Sequence, residues 1–116
     1  MTLPELWLRA FAVTVVIELA VGAPLLKNRG RPTRIAAVAV ANLASHPLIW
    51  FVFLRLGLSF EVRHVLAEAW AIGVELVIYV LVFPTIGVHR AAAVSLLANG
   101  ASLGGGIALR MLGVPL

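Results

Sequence analysis

The chain has 116 residues, 62% hydrophobic and 12% charged, with a formal net charge of +4 and no cysteine. So large an apolar fraction excludes an ordinary water-soluble domain, and the lack of thiols excludes disulfide exchange, thiolate nucleophiles and thiolate metal sites. The positive charge is no nucleic-acid signal, because the basic residues gather where loops and helix ends are expected, a placement that lipid headgroups explain.

Four apolar runs cover residues 5–24, 34–54, 63–83 and 90–112. Each holds about 20 residues, enough to cross a hydrocarbon core of about 30 Å. A helix in lipid satisfies its own backbone hydrogen bonds. The predicted fold is therefore all-α. It is a polytopic membrane protein with four transmembrane helices arranged as two tandem hairpins in a single domain over residues 1–116.

The first run is not read as a signal peptide. Glu5 precedes Arg9, so a basic leader is missing, and Glu18 interrupts the apolar stretch. The second run carries Asn42, Ser45 and His46 on one helical face. His46-Pro47 predicts a kink, with the freed Leu43 carbonyl satisfied by Ser45 or Asn42. The third run aligns Glu61, His64, Glu68, Glu75 and Tyr79 in one stripe, which at 1.5 Å per residue extends about 27 Å. The fourth aligns Ser95, Asn99, Ser102 and Gly106. Small residues four apart (Ala37, Ala41 and Ser45; Ala98, Ser102 and Gly106; Gly100 and Gly104) predict close helix approach.

A shift of 57 residues superimposes the two halves. It maps Glu18-Leu19 onto Glu75-Leu76, and Ala41-Asn42-x-Ala44-Ser45 onto Ala98-Asn99-x-Ala101-Ser102. An apolar chain has little reason to repeat Glu, Asn and Ser. Two units of two spans each, about 5–54 and 62–112, would enter the membrane in the same direction. They would be related by a pseudo-two-fold axis along its normal. Glu18, Asn42, Glu75 and Asn99 would then lie at comparable depth. The second unit adds polar groups that the first lacks: Glu68 stands opposite Phe11, His64 opposite Trp7 and Tyr79 opposite Gly22. His46, by contrast, stands opposite Leu103.

These residues define the candidate site. A charged side chain at mid-bilayer costs about 2.5–3.5 kcal/mol, so Glu18, Glu68 and Glu75 must be protonated, paired or hydrated. The bland reading is a register lock, in which Asn42, Asn99, Ser45 and Ser102 bond across helices for about 0.6–2 kcal/mol each. The functional reading is a proton or cation relay through Glu18, Asn42, Ser45, His46, Glu68, Glu75, Tyr79, Ser95, Asn99 and Ser102. Glu61 and His64 would form its entrance.

Glu61-x-x-His64-x-x-x-Glu68 puts carboxylate, imidazole and carboxylate on one face. Paired helices with Glu-x-x-His build di-iron sites, but here the motif occurs once, so no metal is expected. No GxSxG, HExxH or phosphate-binding loop occurs, so neither an enzyme nor a cofactor is expected. Gly104-Gly105-Gly106 reads as a packing face or a flexible point.

The series Glu68-x6-Glu75-x3-Tyr79, then Ser95-x3-Asn99-x2-Ser102, together with Asn42-x-x-Ser45-x-Pro47, resembles a class of small prokaryotic four-span integral membrane proteins of unsettled function. The resemblance covers about three quarters of the chain and implies membrane topology; His46 lies outside its pattern.

Two functions are expected. One is a proton- or cation-coupled transporter or channel component, for which so short a chain calls for an oligomer. The other is a non-transporting accessory subunit of a larger membrane complex, meeting partners through faces that carry Trp7, Trp50 and Trp70. The bilayer, copies of the chain or other membrane subunits are the expected partners, with no nucleic acid. Loops one and three hold Lys27, Arg29, Arg31, Arg34 and Arg90. The other side holds Arg9, Arg55, Arg63 and Arg110, offset by Glu5 and Glu61. That balance favours loops one and three in the cytoplasm and both termini outside, and the resemblance implies a prokaryotic inner membrane.

Overall fold

The computed structural model describes all residues, Met1–Leu116. Helices α1 (Leu3–Gly22), α2 (Arg31–Phe51), α3 (Phe60–Val82) and α4 (Val88–Met111) account for nearly all the regular structure. Short 3₁₀ turns at Ala23–Leu25 and Phe53–Arg55 extend α1 and α2. All four helices are long and apolar enough to cross a membrane. The bundle measures 41 Å along its longest axis.

Every helix begins two or three residues before the apolar run that marks it. The reason is capping: the first helical turn contains polar residues whose amides need partners. Thr2 Oγ1 accepts from the Glu5 amide, and Glu5 returns a bond to the Thr2 amide, closing a capping box at α1. Ser59 Oγ accepts from the Val62 amide at α3. Gly30 and Gly87 occupy the N-cap positions of α2 and α4. At Gly87 φ is +81°, which favours glycine.

The starts of α1 and α3 are 57 residues apart, as are those of α2 and α4 and the capping pairs Thr2/Ser59 and Gly30/Gly87. A hydrogen bond also joins two residues at this spacing. Asn28 Nδ2 donates to Thr85 Oγ1 at 2.9 Å, tying loop one to loop three.

The principal helix contacts run around a ring: α1 with α2, α2 with α3, α3 with α4, and α4 with α1. Gly22 lets α1 approach α4, where an added Cβ would touch Ala98 and Val94; at Gly105 it would lie 2.6 Å from Ile17 Cδ1. The packing glycines are thus Gly22 and Gly105. At Gly100 and Gly104, expected to form a contact face, an added Cβ would meet nothing within 4 Å, so both point away from the bundle.

Helix α2 runs through Pro47 to Phe51. Neither Ser45 nor Asn42 reaches the Leu43 carbonyl as expected. Ser45 Oγ instead makes a long bond to the Asn42 carbonyl at 3.5 Å, and Asn42 Nδ2 turns to the Val38 carbonyl. These side chains point into the bundle, whereas Leu43 is exposed.

Candidate functional site

Six polar or charged residues are buried: Glu18, Asn42, Ser45, Glu75, Ser95 and Asn99. They converge from all four helices because each lies on the face that its helix turns to the ring centre. Asn42 Nδ2 donates to Glu18 Oε2 at 2.6 Å. Asn99 Nδ2 donates to Glu75 Oε2 at 2.5 Å, across the same 24-residue separation. Each hairpin therefore carries one buried carboxyl–amide pair.

The hairpins also meet each other. Ser102 Oγ donates to Glu18 Oε1 at 2.9 Å, joining α4 to α1. The Glu75 carboxyl is a near neighbour of Glu18. Its Oε2 accepts from Ser95 at 3.0 Å as well as from Asn99, whereas its Oε1 has no donor. Ser45 is the residue that matches Ser102, but it does not complete the cluster by donating to Glu75.

A cavity of about 290 Å³ leads to this cluster from one end of the bundle. Glu18, Asn42, Asn99, Ser45 and Ser102 line its inner part. His46, Glu68 and His64 stand higher on its walls, and Arg63, Arg110 and Phe60 lie nearer its mouth. The mouth is on the side of the chain termini and loop two. Ala67 and Ala71 of α3 and Gly106 of α4 leave room for it.

The opposite end is closed. Tyr79, Phe83, Leu26, Val38, Val94, Ala37, Ala41 and Ala91 form a buried apolar cluster. Beyond it Arg90 Nε donates to the Leu25 carbonyl at 3.0 Å and Arg34 to the Ala23 carbonyl at 3.3 Å. Cations here bond to carbonyls at the C-terminal end of α1 and its 3₁₀ extension. Together with the Asn28–Thr85 bond, they join the loops on the sealed side.

The α3 stripe is thus graded by depth. Glu61 is exposed and does not line the cavity, so of the expected entrance pair only His64 faces it. Glu68 is half-buried on the wall, Glu75 is buried in the cluster, and Tyr79 is buried in the seal with its hydroxyl unpartnered. His46 packs edge-on against Phe11 and stacks with Trp50, and its Nδ1 has no partner. No group of three His, Cys, Asp or Glu side chains is arranged to hold a metal ion.

Sequence reasoning missed several participants. Thr14, Trp50, Phe60, Arg63 and Arg110 line the cavity but carry no periodic polar signal. Trp50 lines the cavity, Trp7 stacks on Phe11, and Trp70, exposed on the bundle surface, donates from Nε1 to the Ser45 carbonyl at 3.3 Å. Arg34 and Arg90, expected to face headgroups, bond to backbone carbonyls instead. Thr85 carries a usable signal, since it lies 57 residues after Asn28.

One-sided access is directly measurable, because the chain has no native cysteine. Glu68→Cys and His46→Cys, in proteoliposomes of one orientation, are expected to react with a membrane-impermeant maleimide from the side of the termini. Val94→Cys is expected to stay unlabelled from either side. Equal labelling of all three, or labelling of Val94→Cys from the loop-one side, contradicts a sealed end.

No family model matches the chain, and neither the curated proteins nor the solved structures searched contain a match to it.

Proposed function

We propose that this protein is a small membrane transporter, or a component of one, coupled to protons or small cations, with the cavity as its one-sided access route. The observation that carries the reading is that the cavity reaches the buried Glu18 carboxyl, while a buried apolar cluster fills the other end of the bundle. Intramembrane carboxyls in a bundle interior, next to a cavity, are the usual makings of an ion or proton path. Glu68 would take up charge from the mouth, and Glu18 and Glu75 would hold it at depth. Asn42 and Asn99 would orient the acceptors. Transport would require the Tyr79–Phe83 seal to open as the cavity closes, a motion of one hairpin against the other.

A duplicated hairpin is the proposed origin of this arrangement, supported by the 57-residue spacing of caps, helix starts and carboxyl–amide pairs. The charge balance of the loops supports a cavity that opens away from the cytoplasm. The resemblance drawn from the sequence points to a prokaryotic inner membrane. No catalytic role is proposed.

A second reading is a non-transporting accessory subunit of a larger membrane complex. It is favoured by the completeness of the amide–carboxyl bonds, which would equally serve as a register lock. Proteoliposome flux of H⁺, Na⁺ and K⁺ separates the two. Flux that falls in Glu68→Gln and Glu75→Gln is expected. Flux absent under every gradient, or indifferent to both substitutions, sinks the transport reading. Co-purification of other subunits in mild detergent supports the second.

A further inference from the structure

The cavity does not have the donor set of an inorganic cation site. Both oxygens of Glu18 already accept hydrogen bonds, from Asn42 and Ser102, and no third carboxyl or imidazole joins a ligating group. A hard cation asks for about six oxygen ligands. The walls are instead mixed: 11 of the 23 lining residues are hydrophobic, which leaves a strip of charge and amide running through apolar surroundings. That combination suits an organic molecule.

The sign of the charge is set by depth. Glu18 and Glu68 are the acidic side chains lining the cavity. Glu68 lies seven residues before Glu75 on α3, two turns or about 10 Å toward the mouth, and Glu75 is a near neighbour of Glu18. Ala10, Val13, Ala67 and Ala71 also line the cavity, and their short side chains leave space. Arg63 and Arg110 stay nearer the mouth, Arg63 over the Phe60 ring at 5.9 Å. His46 and His64 complete the titratable lining. Trp50, stacked on His46, supplies an indole on the wall, and indole faces attract cations.

We propose that the cavity binds a small amphipathic organic cation, an ammonium group on an apolar body, with the ammonium between Glu18 and Glu68 and the apolar part against Trp50 and Ile49. The inference rests on reading the cavity as a substrate vestibule, and it names the substrate class. The field of two carboxyls attracts the ammonium without requiring inner-sphere ligands. The apolar lining then favours an organic cation over a strongly hydrated ion as the bound species.

The test is calorimetric titration of the purified full chain in detergent with three probes: benzyltrimethylammonium, its uncharged isostere neopentylbenzene, and K⁺. Saturable binding of the ammonium alone is expected. Glu68 stands outside the hydrogen-bonded cluster, so Glu68→Gln should leave the bundle folded. That substitution is expected to weaken binding about tenfold or more, the range for loss of one partner of a desolvated charge pair. Glu61→Gln, away from the cavity, should leave the affinity unchanged. Equal binding of neopentylbenzene, comparable binding of K⁺, or an affinity indifferent to Glu68→Gln overturns the proposal. Ammonium binding without proteoliposome flux retains the site and removes transport; proton or Na⁺ flux without ammonium binding does the reverse.

Discussion

Replacing Glu18 by Leu is expected to cost the bundle about 2–4 kcal/mol, from one buried and one part-buried donor losing their acceptor at about 1–2 kcal/mol each. Asn42 Nδ2 and Ser102 Oγ both end on this carboxyl, one from the same hairpin and one from the other. Each keeps a weaker local bond, to the Val38 and Asn99 carbonyls, which bounds the loss. Leu fills the space but supplies no acceptor, so the two donors bear the cost of burial without its compensation.

Glu75→Gln should behave in the opposite way. Glu75 Oε2 already serves both of that carboxyl's donors, and Oε1 has none. An amide oxygen can keep the first role while the new N–H group donates toward Glu18. The variant is expected to unfold at or above the wild-type midpoint in a denaturant titration in micelles, while its flux falls. Glu18→Leu is expected well below that midpoint. Equal destabilisation by both substitutions would mean that the two carboxyls act only as a symmetric lock. Unimpaired flux in a stable Glu75→Gln protein would remove Glu75 from the path.

The second large effect is expected at the seal. Tyr79 and Phe83 are the largest fully buried side chains, with ring centroids 6.4 Å apart, between the carboxyl cluster and the joined loops. Truncating Tyr79 to Ala opens a void on the order of 100 Å³, a loss of about 2 kcal/mol at the cost usual for residual cavities. In lipid the lost packing dominates, because the bilayer itself is apolar. The functional consequence is larger: the void joins the cavity end to the opposite surface, and liposomes carrying Tyr79→Ala should leak small ions without a coupling gradient.

Tyr79→Phe is the control. The Tyr79 hydroxyl is buried without a partner, so its removal should be neutral or stabilising and should not leak. A tight Tyr79→Ala protein would show that the barrier lies elsewhere, for example in the Arg90–Leu25 and Asn28–Thr85 joints.

Much of the architecture and the cluster was legible in the chain. Length and hydropathy define four spans. The rarity of Glu, Asn and Ser in an oily sequence marks the residues that must turn inward, because lipid gives them no partner. All six buried polar residues are among those picked out by spacing alone. The 57-residue shift pairs Glu18 with Glu75 and Asn42 with Asn99, and each pair occupies equivalent places in its hairpin.

What no periodicity could supply is which end is open and which is closed. Polarity along a helix indicates the inward face, but the space between helices depends on side-chain volumes summed over four neighbours. Tyr79 and Phe83 fill one end, while Ala67, Ala71 and Gly106 leave room at the other. The same limit hid the roles of Arg34 and Arg90, whose carbonyl partners lie 11 and 65 residues away. The four apolar helices and the identity of the buried polar residues could thus be read from the chain, because both follow from the solvent each residue can tolerate. That a cavity reaches Glu18 from one end became visible only in the packed bundle, because it depends on how four packed surfaces fail to fill that end.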